Sequence, residues 1–309
     1  MTAVLPAPTL RRFNVADDLF VENYRTQGFA LLANALSAEE VAAINDDALR
    51  LCRGDYGELA YGDPADGWSG SRRDFVAEAQ LSDEDLLRRY LCIHHPHKTS
   101  VPARAALTAP RVVDALVQVI GLNVKAMQSM LFIKSEGKPG QPWHQDEYFI
   151  PTRDRSLTAA WIALDDATIE NGCLWVLPGS HRRGVLYPSR EQHDPRFDCG
   201  SEAYNFPYTD EDAVPVEIPA GSAVIFNGYL LHRSLEKSGR HGYRRALAIH
   251  YMSAESLLPW RAPKEGEWMA MADYRDVVLV AGEDPYAYKG TADLSVTHTR
   301  PDKDGGCDH

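Results

Sequence analysis

The stretch PWHQDEYF at 142–149 places His144 and Asp146 two positions apart, just after the glycine-rich segment 137–140. In an extended strand, residues i and i+2 project to the same side, so an imidazole and a carboxylate at this spacing can grip one ion together. A hydrogen-bonded pair at a strand end explains the same residues, since a chain with 11 histidines and 44 acidic residues contains about one such tripeptide by chance. The metal interpretation therefore requires a third ligand from elsewhere in the chain.

The best third ligand is His232, which follows the apolar run SAVIFNGYLL and begins a turn. Its ring is therefore expected at a strand end, as is the ring of His144. Two histidines and one carboxylate leave coordination positions open, which suits non-haem Fe(II), an ion that must bind oxygen and an organic co-substrate together. Zinc accepts the same ligands, so the ligand types alone do not select the metal.

The remaining histidines are less favoured as ligands. CIHHPHKTS at 92–100 carries His94, His95 and His97 without an evident carboxylate partner, and we interpret it as a pocket lining or a polar turn rather than a metal site. His181 lies on a predicted turn and is interpreted as structural. His250 lies on a predicted strand and is interpreted as a packed core residue.

Two adjacent arginines follow His232 at the start of another predicted strand. Arg244 shares one strand face with Ala246 and Ala248, whereas Arg245 shares the other face with larger apolar residues. The small side chains leave room for a bound molecule, and a guanidinium holds a carboxylate, such as that of 2-oxoglutarate, through two parallel hydrogen bonds. A surface arginine pair at a strand end remains the alternative, and parity alone does not exclude Arg245 as the anchor.

Two sequence patterns divide the chain into the elements that must position these residues. The first part, about 15–122, is predicted to be mostly helical, with a capping box from Ser37 to Glu40, a short strand at 29–32 and a second helix at 109–120 closed by Gly121. From about 124 to 255, short apolar runs alternate with Gly, Pro, Asn and Asp turns, which is typical of antiparallel strands. Helices followed by strands predict an α+β chain with a β-sandwich or jelly roll at its centre. The polar insert at 187–215 is long enough for an active-site cover, and the last part, 256–309, is uninformative.

Composition excludes several classes of protein. The net charge of −12 argues against a general nucleic-acid or anionic-membrane surface. No run of 18 apolar residues predicts a transmembrane helix, and the first residues lack the apolar core of a secretory peptide. Five scattered cysteines are typical of free thiols in a reducing cytosol, so we expect a cytoplasmic protein.

Three segments together resemble the phytanoyl-CoA dioxygenase family of Fe(II)- and 2-oxoglutarate-dependent oxygenases. They are WHQDEYF, LTAAWIALDDATIENGCLWVLPGSH and HRSLEKSGRHGYRRALAIHY, and the likeness runs from about residue 20 to 255. The resemblance implies one domain over 1–309, with a double-stranded β-helix (a cupin-like jelly roll) flanked by N-terminal helices. It implies His144, Asp146 and His232 as iron ligands. It also implies 2-oxoglutarate-binding residues, namely Arg244, Ser234, Trp161, Gln128 and Lys98.

The implied activity is hydroxylation of a C–H bond in a small-molecule metabolite, with O2 consumed and succinate and CO2 released. Related halogenases replace the HxD acid with a small residue, so Asp146 favours hydroxylation. No basic patch for the phosphates of coenzyme A is evident, which favours a free metabolite as substrate. Two other classes remain open: a zinc hydrolase that uses the same triad, and a jelly-roll binding protein without turnover.

Overall fold

The computed structural model describes residues 10–57, 60–61, 80–198, 200–237, 242–257, 277–291 and 295–302. Most of the described helical residues lie before residue 120 and most of the described strand residues lie after it, so the predicted α+β class is confirmed. The α-helices are α1 (Asp18–Gln27), α2 (Ala38–Arg53), α3 (Asp83–Leu87), α4 (Val101–Ala106), α5 (Pro110–Val119) and α6 (Asp146–Phe149). No described helix has the length and the apolar character that crossing a membrane requires.

Local sequence signals explain where two of these helices begin and end. The Ser37 side chain accepts a hydrogen bond from the Glu40 amide while the Glu40 carboxylate accepts one from the Ser37 amide, which confirms the predicted capping box at α2. Helix α1 ends at Gly28, whose φ of 88° is the left-handed conformation that glycine adopts without strain. The chain then passes directly into the predicted strand at 29–32.

The described strands form one large sheet and one smaller sheet. The large sheet has the order β1 (Arg12–Phe13), β2 (Phe29–Leu32), β12 (Ala223–Asn227), β7 (Thr158–Ala163), β14 (Arg244–Ser253), β5 (Val124–Lys134), β4 (Tyr90–His94), β16 (His298–Pro301) and β3 (Ala60–Tyr61). Strand β15 (Val278–Ala281) also pairs with β5. The smaller sheet has the order β11 (Val214–Val216), β8 (Leu174–Val176), β13 (His232–Ser234) and β6 (Gln141–His144). A separate hairpin joins β9 (Ser189–Glu191) and β10 (Ser201–Ala203) within the insert.

Alternation along the central strands assigns each face of the large sheet to its own core. In β12, Ala223 and Ile225 belong to the core shared with the helices, whereas Val224 and Phe226 belong to the core shared with the smaller sheet. Strands β7 and β14 divide in the same way. Because both faces are buried, these strands read as continuous apolar runs rather than as an apolar–polar alternation.

Two parts of the chain contribute strands that the sequence patterns did not predict. The N-terminal part supplies β1, β3 and β4 as well as the expected β2, and the final part supplies β15 and β16. Strand β16 pairs with β4, which in turn pairs with β5, so the end of the chain extends the large sheet beside the predicted site. The sequence of 256–309 indicated no element, so β15 and β16 are found only in the structure.

Candidate active site

Strand register brings the two predicted histidine ligands together. His144 ends β6, His232 begins β13, and they are direct partners in the antiparallel pairing of these strands. Their ring centroids are 4.1 Å apart. The Nδ1 atom of each ring donates to the backbone carbonyl two residues earlier, at 2.8 Å to Pro142 and 3.0 Å to Leu230. Each ring therefore keeps the lone pair of its Nε2 atom free to bind a metal ion.

Asp146 reaches the same place although β6 ends at His144, two residues before it, so the strand does not extend to Asp146 as a simple i, i+2 argument assumes. Gln145 stays extended, with φ −127° and ψ 127°, and Asp146 begins α6. The buried Gln145 side chain fixes this bend, since its amide donates to the carbonyls of Val185 and Tyr229 and its oxygen accepts from the Tyr187 amide. The carboxylate Oδ1 atom then lies 3.7 Å from Nε2 of His144 and 3.6 Å from Nε2 of His232.

These three side chains form the one set of His, Cys, Asp or Glu side chains among the described residues whose donor atoms could hold a metal ion. Burial would raise the pKa of Asp146, but His232, His250 and His144 outweigh burial and hold that pKa below its ordinary value. Burial and then His144 lower the pKa of His232 to about 4, against the opposing effect of Asp146. At neutral pH the site therefore presents one carboxylate and a neutral His232 imidazole.

A fourth residue, His250, contacts the carboxylate from behind. Its Nε2 atom donates to Oδ2 of Asp146 at 3.0 Å, while its Nδ1 atom accepts from the Gln128 amide at 3.2 Å. The amide nitrogen of Gln128 can only donate, so this chain places the imidazole proton on the nitrogen that faces Asp146. Sequence reasoning treated His250 as a core residue. His250 lies six residues after Arg244 on the same strand, so both side chains share one face, and this was the signal in the sequence that could have placed His250 near the site.

The carboxylate and His144 face a cavity of about 400 Å³. Its walls combine apolar side chains with a few polar groups, including Gln128, Gln141 and Ser201. Gly200 and Ser201 come from the 187–215 insert, so part of the insert borders the cavity. This is the composition expected of a small-molecule site.

The structure separates the two adjacent arginines. Arg245 binds Asp165 through two hydrogen bonds, at 2.9 and 2.7 Å. Arg244 is 3% exposed, lies with its guanidinium carbon 5.4 Å from the centre of the Trp161 ring, and has no hydrogen-bond partner for its buried Nε atom among the described residues. Arg244 is therefore the arginine with capacity for a ligand inside the fold.

A second buried cation, Lys134, lies opposite Arg244 in the β5–β14 register. Its Nζ atom donates to the Leu235 carbonyl at 2.6 Å and to the Ser234 hydroxyl at 3.3 Å. Burial and then Arg244 hold the pKa of Lys134 well below its ordinary value, and burial lowers the pKa of Arg244 to about 10. Sequence reasoning missed Lys134, because a charge at a strand end is usually a solvated terminus.

Arg244, Lys134 and Ser234 line a second, smaller cavity of about 30 Å³. Neither cation forms an ion pair with a carboxylate of the described chain. Gln141, Asp198 and Arg300 line both cavities, so the two spaces are adjacent. The arrangement joins a three-ligand metal cluster to a cationic pocket across one shared wall.

Lys98 was expected to bind 2-oxoglutarate, and the histidine cluster at 94–97 was interpreted as a pocket lining or a polar turn. Lys98 ends the turn Pro96–Lys98 and does not line the cavity beside Asp146. His94 stacks on His298 with ring centroids 4.3 Å apart, and His97 contacts the Ser129 hydroxyl at 2.6 Å. The one candidate metal-ligand set among the described residues does not include this histidine cluster.

An antiparallel sandwich that carries a His-X-Asp pair and a distal histidine at one end, with an arginine and a serine deeper inside, is the arrangement of the 2-oxoglutarate-dependent non-haem iron oxygenases. The phytanoyl-CoA dioxygenase (PhyH) family model matches residues 24–246, and the chain belongs to this family. The family predicted from the sequence is thereby confirmed.

Two curated relatives illustrate the sequence similarity. Phytanoyl-CoA dioxygenase 1 of Oryza sativa subsp. japonica is 38% identical over 131 residues, which are 42% of this chain and 45% of that protein. The peroxisomal phytanoyl-CoA dioxygenase of Rattus norvegicus is 28% identical over 248 residues, covering 75% of this chain and 67% of the relative. The chain thus spans less than half of the length of the rice relative.

Solved structures support the fold. A non-heme monooxygenase, ThoJ in its apo form, matches with a TM-score of 0.59 and 21% identity, covering 93% of this chain and 89% of that one. The epimerase SnoN, solved in complex with Fe3+, alpha ketoglutarate and nogalamycin RO, matches with a TM-score of 0.56 and 20% identity over 78% and 85% of the two chains. At these identities the likeness establishes a common fold and leaves the substrate open.

Proposed function

We propose that this protein is an Fe(II)- and 2-oxoglutarate-dependent dioxygenase that hydroxylates a C–H bond of a small-molecule metabolite and releases succinate and CO2. The observation that carries the proposal is the pairing of two half-sites in one interior. One half offers three metal ligands, and the other offers two buried cations and a hydroxyl group without a carboxylate partner in the described chain.

The donor set fits iron. His144, Asp146 and His232 offer two neutral nitrogen donors and one anionic oxygen, which leaves positions for a bidentate co-substrate and for oxygen. Both rings are already oriented by hydrogen bonds to backbone carbonyls. His250 and Gln128 hold the carboxylate from behind in the way that groups around a metal ligand usually do.

The cationic pocket fits the far carboxylate of 2-oxoglutarate. The unpaired Nε atom of Arg244 is an orphaned buried donor, and such atoms are rare in native proteins unless a ligand satisfies them. Lys134 and Ser234 add an ammonium and a hydroxyl group on the opposite side. Trp161 packs against the guanidinium and restricts its orientation. We assign Arg244, Lys134 and Ser234 as the carboxylate site.

The protein's own part in the reaction is to bind, orient and exclude water. When bound, Fe(II) with 2-oxoglutarate and O2 supplies the oxidising chemistry that converts a C–H bond to an alcohol. Arg244, Lys134 and Ser234 would hold the far carboxylate of 2-oxoglutarate, while His144, Asp146 and His232 would hold the iron. Phe149, Ile150 and Met130 line the apolar part of the outer cavity, where the substrate would lie.

A zinc hydrolase with the same triad is less well supported, because it would need a general base that faces the metal. Asp198, the other carboxylate in the cavity wall, holds Arg300 through both of its oxygens, at 2.6 and 2.9 Å. Both nitrogens of His250 are engaged, with Asp146 and with Gln128. A binding protein without turnover is disfavoured by the complete ligand set and by the presence of Arg244.

We also propose that the described elements belong to one domain over 1–309 with a double-stranded β-helix as its centre. The order β12-β7-β14-β5 in the large sheet and β11-β8-β13-β6 in the smaller sheet supports this. Strands alternate between the two sheets from β5 to β8 and again from β11 to β14, and β8 pairs with β11 within the smaller sheet. Lys98 and Gln128 were expected to bind 2-oxoglutarate. We now assign Gln128 to the support of His250 and assign no role to Lys98.

Succinate formation tests the proposal. The purified protein is incubated aerobically with Fe(II), ascorbate and 2-oxoglutarate across a library of small metabolites, and succinate is measured. We expect succinate that depends on Fe(II) and rises severalfold with the correct metabolite. A protein that forms none, and that hydrolyses esters or amides after zinc loading, would contradict the proposal and support the hydrolase.

A further inference from the structure

The C-terminal strand and the 187–215 insert meet at the wall between the two cavities. Arg300, on β16, donates to Asp198, in the insert, through both terminal nitrogens at 2.6 and 2.9 Å. The two side chains are only 22% and 15% exposed. A two-bond guanidinium–carboxylate pair of this kind is stronger and more directional than an exposed ion pair.

The pair lies at the boundary between the two cavities. Asp198 and Arg300 line the cavity that contains the Asp146 carboxylate and also the cavity that contains Arg244. A molecule that spans the metal ligands and Arg244 therefore lies beside this ion pair. The family match ends at residue 246, so Arg300 belongs to a part of the chain beyond that match.

The pair also joins the two sheets. Arg300 belongs to the large sheet through the pairing of β16 with β4. Asp198 is held at the start of β6 in the smaller sheet, since its amide donates to the Gly140 carbonyl at 2.7 Å while the Gly140 amide donates to Arg196 at 2.8 Å. Gly140 has no substitute here, because a Cβ atom would collide with the Ser234 carbonyl.

A second ion pair repeats this connection. Lys138, in the loop between β5 and β6, binds Asp302, which follows β16. The Lys138 side chain is 7% exposed and that of Asp302 is 16% exposed. Two partly buried ion pairs thus connect β16 and the residue that follows it to segments next to β6 in the smaller sheet.

We infer that Asp198 and Arg300 are positioning residues that close this edge of the sandwich over bound 2-oxoglutarate. This inference rests on the proposed function. The closed edge keeps the co-substrate in the orientation set by Arg244 and keeps water out of the shared wall. If the pair is broken, the closed arrangement is populated for a smaller fraction of the time, and the apparent affinity for 2-oxoglutarate falls by that fraction.

The test compares Arg300→Gln, Asp198→Asn and the exchanged double variant Asp198→Arg with Arg300→Asp. The matched control is Arg190→Gln, which breaks the exposed Arg190–Glu202 pair in the same insert but lines neither of the two cavities. The dissociation constant of 2-oxoglutarate is measured anaerobically with Fe(II) present, from the visible absorption of the complex. Fe(II) affinity is measured separately without 2-oxoglutarate.

We expect each single variant to raise the dissociation constant for 2-oxoglutarate about tenfold, and the exchanged pair to recover most of this loss. Fe(II) affinity and the Arg190→Gln control should be unchanged. A second readout does not depend on affinity: bound 2-oxoglutarate should slow amide hydrogen exchange at 192–198 in the wild type but not in Arg300→Gln.

Unchanged 2-oxoglutarate affinity in both single variants, or equal losses in the control, would overturn the inference. Equal losses of Fe(II) affinity and 2-oxoglutarate affinity would overturn it as well, because they indicate general destabilisation. A wild-type protein that forms no complex with Fe(II) and 2-oxoglutarate contradicts the proposed function itself, so the two failures are distinguishable.

Discussion

The metal-ligand set and the pocket of Arg244 and Lys134 differ in how their charged groups are balanced by partners in the chain. At the metal end, one carboxylate contacts three histidines, and most of the donors already have partners in the chain. At the other end, Lys134 and Arg244 are buried together with a hydroxyl group and no carboxylate of the described chain pairs with them. The metal end is therefore shaped before its ligand arrives, whereas the cationic end lacks the anion that would balance it.

Substitution of a proposed metal ligand should cause the largest loss of activity. Asp146→Ala removes a proposed ligand and also the acceptor for His250. Loss of a group that supports a ligand typically costs about 10–100-fold in metal affinity, so loss of the ligand itself should cost more than roughly 1,000-fold in Fe(II)-dependent succinate formation. Asp165→Ala, which removes the partner of Arg245, is the control and should keep the activity. Comparable losses of succinate formation in Asp146→Ala and Asp165→Ala would contradict a specific role of Asp146 as a metal ligand.

The cationic end should lose its co-substrate without losing its metal. Arg244→Met is expected to raise the dissociation constant of 2-oxoglutarate roughly 100-fold, because one partner of a buried charge pair contributes about 2–5 kcal/mol. Fe(II) affinity should stay within about twofold of the wild type on the same argument, since the three proposed ligands lie at the other end. Arg245→Met is the matched control. A larger effect of Arg245→Met than of Arg244→Met would indicate that Arg245 binds the 2-oxoglutarate carboxylate.

Glu147, next to the metal ligands, makes the stability of the metal-free protein depend on pH. Burial, opposed by hydrogen bonds from Thr152, raises the pKa of Glu147 to about 7 from 4.5. A raised folded-state pKa means that the folded state holds its proton more tightly, so this contribution is present below pH 4.5 and is lost as the pH rises through 7. Relative to Glu147→Gln, the wild type should lose about 2–3 kcal/mol over this window in urea unfolding. A constant difference would show that burial does not hold the proton.

Replacing Lys134 should raise the thermal stability of the protein and lower its affinity for 2-oxoglutarate. Lys134→Met is expected to weaken 2-oxoglutarate binding about tenfold, while a buried ammonium group is removed and thermal stability rises. Lys125→Met offers a control at the far end of the same strand, where the ammonium group donates to the Ser256 carbonyl. If Lys134→Met lowered stability and left affinity unchanged, Lys134 would be a structural residue only.

Replacing His250 should have an effect no larger than that of replacing Lys134. His250→Phe removes both of its hydrogen bonds but none of the three proposed ligands, and Fe(II) should dissociate roughly tenfold faster. The rate is measured with a chromogenic chelator. His181→Phe, which only loses a contact with the Arg25 carbonyl, should release iron at the wild-type rate. Identical rates in the two variants would exclude a supporting role for His250.

The sequence predicted the metal end better than the cationic end, and the reason is local geometry. His144 and Asp146 are two positions apart in the chain, and the apolar run SAVIFNGYLL before His232 indicates its strand end. Lys134 meets Arg244 only through the register of β5 and β14, which no local pattern specifies. The strand parity argument favoured Arg244 without excluding Arg245, and the pairing of Arg245 with Asp165 supports Arg244.

The fold shows the same limit. Long apolar runs such as β5 and β14 were predictable, whereas β16 spans only His298–Pro301 and contains one proline and one arginine. Its place beside β4 depends on contacts nearly 200 residues apart, such as the Thr99–Thr297 hydrogen bond with a separation of 198. Asp198 and Arg300 meet for the same long-range reason, which is why the insert alone did not reveal them.

The most direct test of the central claim is an anaerobic titration of the Fe(II)-loaded protein with 2-oxoglutarate, followed by visible absorption. If the two ends form one site, the wild type develops a weak charge-transfer band that saturates at one equivalent, Asp146→Ala develops none, and Arg244→Met needs roughly 100-fold more 2-oxoglutarate. A wild-type protein that binds Fe(II) tightly but develops no band would contradict the account.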